Sequence, residues 1–210
     1  MDLGDLEALA VDAIESVNED PERPPSAFRL ARAHLGAGSV DRPRMMAGPP
    51  AVTFEVAGQQ RIAIKASVPL EYAHFYCAHE LGHVLLARGG YRGPRDEEEV
   101  FANYLGAALL MPRPAVRSFY RAEGLSPRRL AKAIVCTQTA AALRFGEVLL
   151  SPLAVVAPAS VRVRGPEAWV WPDERTIRRW AAGRPGPGVT KVKLTDQKRV
   201  ALIGSDDDAA

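Results

Sequence analysis

The residues with the most chemistry in them stand close together: His79, Glu80 and His83, inside the run EYAHFYCAHELGHVLLARGG at residues 71–90. On a helix, histidines four positions apart lie on one face about a turn from each other, near enough to hold one metal ion together. Zinc suits that pair, because it takes neutral imidazole nitrogen readily and three protein ligands plus a water form the open tetrahedral site of a hydrolase. Glu80 then has a separate task. Placed beside His79 and close to the metal-bound water, it can take a proton as that water attacks a carbonyl and hand it to the leaving amine. A pattern that fixes three positions also arises by chance, so its surroundings matter. Ala78, Leu81, Val84 and Leu85 supply apolar positions at helical spacing, and Gly89 and Gly90 follow as a stop signal.

A catalytic zinc needs a third ligand, and the acidic candidates open the next segment, DEEEVFANYLGAALLMP at residues 96–112. Glu99 precedes Asn103 by one helical turn, so both project from one face and Asn103 can steady the Glu99 carboxylate from behind. On this reading Glu97 and Glu98 point elsewhere. Acids in a first helical turn are favoured by the helix dipole alone, which accounts for most of the cluster without any metal.

The run RIAIKASVPLEYAHFYCAHELGHVLL, followed by ExxxN and then ALLMP, resembles the ImmA/IrrE family of bacterial and phage metallopeptidases over roughly residues 26–150. The resemblance implies a compact zincin-like α+β fold, zinc held through His79, His83 and Glu99, and Glu80 as general base. It also implies a substrate class, since family members of understood role cleave helix-turn-helix repressors and so release stress-response or mobile-element genes. Phe101 stands where the family often has an acidic residue, and Ala87 where a histidine often follows the two leucines. The acidic register therefore keeps Glu98 as the alternative to Glu99.

The elements that must position these residues are legible to different degrees. Leu3, Leu6, Ala10, Ala13 and Val17 recur at three- and four-residue spacing between acids, which predicts an amphipathic helix over residues 2–17. Pro21, Pro24 and Pro25 end it, and Ser26 caps a second helix carrying Phe28, Leu30, Ala31 and Leu35. His34 on that helix reads as a packing residue. Residues 36–50 read as loop, and 51–56 with 61–65 as a hairpin around Gly58. An edge strand of such a hairpin beside the metal can pair with an extended substrate.

After Pro112 the chain turns basic: Arg113, Arg117, Arg121, Arg128, Arg129, Lys132 and Arg144 face only Glu123 and Glu147. The helix, turn and helix expected over residues 113–157 resemble a helix-turn-helix. A recognition helix from about Gln138, with the arginines on phosphate, would make DNA contact. Ala140, Ala141 and Ala142 offer little to base edges, however, so packing or partner docking is the plainer role. Residues 158–210 predict a small β-rich segment: strands at SVRVRG and EAWVWP, a short helix capped by Asp173, a final hairpin turning at 195–198, and a disordered SDDDAA tail. Trp169, Trp171 and Trp180 read as core.

Length and composition bound the whole. With 210 residues, 47% hydrophobic, 25% charged and a net charge of +2, the chain suits one full core, expected over residues 1–157, plus the small C-terminal segment. No apolar run approaches a membrane span, and the acidic N-terminus is unlike a signal peptide, which predicts a cytoplasmic protein. Cys77 and Cys136 then read as reduced structural thiols. Two functions stand: a zinc endopeptidase acting on a regulatory protein, and a non-catalytic module that binds a repressor or DNA.

Overall fold

The fold comes from a computed structural model that describes residues 1–23, 26–150, 152–157, 160–164, 173–186, 189–194 and 199–204. Contacts divide the chain into two units, residues 1–118 with 134–136, and residues 119–133 with 137–210. The expected division near residue 157 is not where the contacts divide. A helix–strand core in the second unit is the reason, as set out below.

In the first unit, Asp2 and Asp5 exchange side-chain and main-chain hydrogen bonds at 2.8 and 2.9 Å and start helix α1 (Leu3–Glu15), whose Leu6, Ala10, Ala13 and Ile14 are buried. Ser26 caps α2 (Ala27–Leu35), accepting from the Arg29 amide at 3.3 Å, as its position predicts. The stretch expected to be loop contains a two-residue strand, β1 (Val40–Asp41), paired in parallel with the hairpin. It is too short to leave a hydropathy pattern, and only the burial of Val40 marks it. The hairpin itself forms as expected, with β2 (Ala51–Val56) antiparallel to β3 (Gln59–Ile64) and β2 at the sheet edge in the order β1-β3-β2. Its two-residue turn puts Ala57 at φ 52° and Gly58 at φ 77°, the two positive angles of a type I′ turn.

Helix α3 (Leu70–Arg88) carries the His-Glu-x-x-His run and buries Ala73, Cys77, Leu81, Val84 and Leu86 among others, while Tyr76, His79, Glu80 and His83 stay half-buried on the remaining face. It packs against α4 (Arg95–Leu110) more extensively than any other pair of elements. Two glycines permit that approach. A β-carbon on Gly106 would lie 2.9 Å from the His79 amide nitrogen and 3.0 Å from its Cα, and one on Gly82 would lie 3.1 Å from the Ala102 carbonyl oxygen. The backbones therefore touch at the level of the histidines. Tyr104 on α4 donates at 2.7 Å to the buried Glu7 of α1, which holds α4 from its other side.

Helix α5 (Arg113–Glu123) runs across the division between units. Helices α6 (Pro127–Ile134) and α7 (Gln138–Leu149) belong to the second unit apart from Ile134, and the short turn that follows α6, with Val135 in the left-handed region at φ 59°, is grouped with the first. Four antiparallel strands, β4 (Leu153–Ala157), β5 (Ser160–Arg164), β6 (Val189–Leu194) and β7 (Arg199–Gly204), form a sheet in the order β5-β4-β7-β6. Ala142 of α7 packs with Leu153, Val155, Ala201 and Ile203 on one face of it. Ile177 and Ala181 of α8 (Glu174–Ala182), which Asp173 caps at 3.0 Å through the Thr176 amide, pack with Ala154, Val156 and Leu202 on the other. Strand parity explains the split: odd and even residues of β4 face opposite helices. Thus α7 is a core helix. Arg144, expected among the phosphate-facing arginines, is 1% exposed and lies 3.4 Å from Glu147, so it is withdrawn from any nucleic-acid surface. Trp180, on α8 itself, is partly buried against the cluster of Ile177, Ala181 and Leu202. Trp169, Trp171, the strand expected at 167–172, the 195–198 turn and the SDDDAA tail lie outside the described residues.

Candidate metal centre

The close α3–α4 approach brings three donor atoms together. His79 Nε2 lies 3.1 Å from His83 Nε2, and Glu99 Oε2 lies 3.4 Å from the first and 3.7 Å from the second. The two rings stand edge to face with centroids 4.7 Å apart. Ligands at about 2.0–2.1 Å around a tetrahedral zinc are separated by about 3.3–3.4 Å, the edge of that tetrahedron. The three separations bracket that value, and two imidazoles with one carboxylate form a donor set suited to a small divalent ion. Among the described residues these three form a group whose donor atoms all lie within 4.8 Å of one another.

Glu98, expected to point elsewhere and held as the alternative to Glu99, does neither of those things. Its Oε1 accepts from His83 Nδ1 at 2.8 Å. A proton fixed on Nδ1 leaves the Nε2 lone pair directed at the centre, so Glu98 sets the tautomer in which His83 can ligate. Consecutive residues differ by about 100° around a helix. Both reach α3 because His83 offers one nitrogen to each, on opposite edges of its ring. Asn103 also departs from expectation, for its Nδ2 donates at 2.7 Å to the Glu99 main-chain oxygen and not to the carboxylate. It steadies the helix turn that carries Glu99. His79 Nδ1 is buried without a hydrogen-bond partner, and Asn103 favours the protonated His79 ring without closing a bond of ordinary geometry on that atom.

Glu80 is held from the sheet. Thr53 Oγ1 on β2 donates to Glu80 Oε2 at 2.7 Å, leaving the other carboxylate oxygen without that partner. Sequence reasoning did not single out Thr53. The only signal for it was strand parity, which puts 51, 53 and 55 on one face of β2 without saying which element that face meets.

Burial, then the neighbouring His83, pushes the His79 pKa below the ordinary imidazole value, so the ring is neutral as a ligand must be. Burial raises the Cys77 thiol to about 12, which leaves it an inert packing group, as expected from its position. The remaining histidines are engaged elsewhere: His34 Nε2 bonds the Ala13 carbonyl at 2.9 Å, and His74 packs edge-on to Phe28 with centroids 4.7 Å apart. Tyr91 donates to Glu97 and stacks edge-on with Phe101.

A helix presenting two histidines and a glutamate, met by a carboxylate from the next helix across a glycine contact, is the arrangement of a metal-dependent peptidase. The chain belongs to peptidase family M78: the model of the IrrE N-terminal-like domain matches residues 30–141, just over half of its length and the segment that contains all five expected site residues. No curated protein matches the chain in sequence. Among solved structures, a Mycobacterium tuberculosis transcriptional regulator is similar at a TM-score of 0.64, covering 95% of this chain and 87% of that one at 13% identity. At that identity the likeness speaks for the fold alone. No helix among the described residues is long and apolar enough to cross a membrane.

Proposed function

We propose that the protein is a zinc-dependent endopeptidase whose substrate is another protein, a helix-turn-helix transcriptional repressor, cut in a stress-response or mobile-element setting. The convergence of His79 Nε2, His83 Nε2 and Glu99 Oε2 at tetrahedral spacing, with Glu80 adjacent on the same helix, carries the reading. His79, His83 and Glu99 would hold the ion. A zinc ion there supplies Lewis-acid polarisation of a carbonyl and makes water acidic enough to attack near neutral pH. Glu80 accepts the proton from the attacking water and returns it to the departing nitrogen. Glu98 keeps His83 in its ligating tautomer, and Thr53 keeps the Glu80 carboxylate in place.

The repressor as substrate rests on the family resemblance. A regulatory setting is also compatible with the similar solved structure, which is described as a transcriptional regulator. The test is time-resolved incubation of the zinc-loaded protein with a helix-turn-helix repressor encoded beside its gene, with mass spectrometry of the fragments. Cleavage by the wild type and none by Glu80→Gln is the expected result. Equal rates for the two would remove Glu80 from the chemistry, and no cleavage by the zinc-loaded wild type would favour the non-catalytic module.

A further inference from the structure

We infer that Thr53 is a positioning residue for Glu80, and that the same residue registers an extended, alternately apolar substrate segment on the open edge of β2. This rests on the reading of Glu80 as base. The Lys65 amide donates to the Pro50 carbonyl at 2.9 Å, which makes 50 and 65 a hydrogen-bonded pair of the antiparallel ladder. Such pairs alternate, so with the register Val52–Ala63, Thr53–Ile62 and Phe54–Arg61 the amides and carbonyls of Val52, Phe54 and Val56 are spent on β3. Those of Ala51, Thr53 and Glu55 face away from it. The Ile62 amide confirms the phase, since it points from β2 toward the Ser39 carbonyl at 2.7 Å. Among the described residues β2 has no second neighbour, so the outward groups at Thr53 form an unpaired edge.

Thr53 therefore works at two places. Its hydroxyl fixes one Glu80 oxygen at 2.7 Å, and its main chain offers a donor and an acceptor to an incoming strand. A peptide paired there is registered against the base through a single residue. The opposite face of β2 adds a side-chain preference. Val52, Phe54 and Val56 are 36%, 38% and 45% exposed, an apolar row on an edge strand that would otherwise invite aggregation. A strand added beside it places every second side chain against that row. The substrate segment is thus extended, with apolar residues at alternate positions.

The experiment uses the zinc-loaded full chain and two probes. Acetohydroxamate binds a zinc ion through both oxygens and gives its hydroxyl proton to an adjacent carboxylate, so its affinity reads the placement of Glu80 independently of turnover. By calorimetry, Thr53→Val is expected to weaken it by about tenfold, the loss of one hydrogen bond to a charged group, with zinc affinity unchanged and Thr53→Ser near wild type. Glu80→Gln should weaken it as well. Wild-type affinity in Thr53→Val alongside weakened Glu80→Gln overturns the role of Thr53 and leaves the base assignment standing. Unchanged affinity in Glu80→Gln, or no binding by the wild type, removes the base reading and this inference with it. The second probe is the hydroxamate of acetyl-Val-Ser-Val-Ser. Amide hydrogen exchange should slow at Thr53 and Glu55 when it binds and stay as it was at Val52 and Phe54, whose amides are already paired. Exchange at Thr53 that does not slow overturns the docking edge.

Discussion

Glu98 and Glu99 are sequence neighbours with different tasks, and the difference is measurable. Glu99 supplies an oxygen to the donor triangle, whereas Glu98 acts through the far nitrogen of His83. Glu99→Ala should abolish stoichiometric zinc binding, and Glu98→Gln should retain zinc with affinity lowered by about 10- to 100-fold, as expected for loss of a ligand's orienting partner. Competition with a chromophoric chelator distinguishes the two. The reverse ranking would exchange their roles. Glu80→Gln should bind zinc as wild type does while cleavage falls by about 10²- to 10⁴-fold, the loss expected when the proposed general base is removed and the proposed ligands are kept.

Between elements, the donor triangle depends on how closely α4 approaches α3. In a helix interior alanine is favoured over glycine by about 1 kcal/mol, so a glycine-to-alanine change should stabilise unless its methyl has nowhere to go. At Gly106 the methyl would meet main-chain atoms of His79 at 2.9 and 3.0 Å, which cannot rotate aside. Gly106→Ala should therefore destabilise by about 1–2 kcal/mol in denaturant titration and lower zinc affinity, since overpacking costs about 1–3 kcal/mol and displaces a ligand here. Gly82→Ala meets the Ala102 main chain less closely, its carbonyl oxygen at 3.1 Å and its Cα at 3.4 Å, and should cost less than Gly106→Ala. The hairpin turn gives a prediction of the opposite sign. Ala57 holds a left-handed conformation that asparagine tolerates better, so Ala57→Asn should stabilise by about 0.5 kcal/mol without touching the site.

For the whole molecule, pH and truncation are the informative perturbations. Burial, with Arg42 adding to it, lowers the His74 pKa below the ordinary value of 6.5. The unfolded chain then binds the proton more readily than the folded one, so this contribution to stability is complete above pH 6.5 and is lost as the pH falls through the lower, folded value. Thermal unfolding of the zinc-free protein should show a midpoint that drops below that pH, with a shallower drop in His74→Gln. Truncation after residue 157 would remove β5, β6, β7 and α8, baring Ala142, Leu153 and Val155 on one face of the remainder and Ala154 and Val156 on the other. Such a chain should bind an environment-sensitive apolar dye that the full-length protein does not, and aggregate on concentration. Equal dye response would show that α7 and β4 find another cover.

The sequence by itself determined what spacing along one helix can determine. His79, Glu80 and His83 share a turn of α3, Ser26 and Asp173 cap the helices they precede, and the β2–β3 hairpin follows from alternation and its short connection. Those features are local, and local backbone periodicity sets them. Glu98 turning to His83 and Thr53 reaching Glu80 were decided only by tertiary structure, whereas Asn103 bonding the Glu99 carbonyl is a choice among acceptors within one helix. The first two depend on a contact between residues on different elements. The same holds for Arg144: a basic residue on an alanine-rich helix reads as a solvated or nucleic-acid-facing group, and only the packed structure shows it 1% exposed and 3.4 Å from Glu147. Side-chain types fix what chemistry is available, and the packing of distant segments fixes which atoms meet.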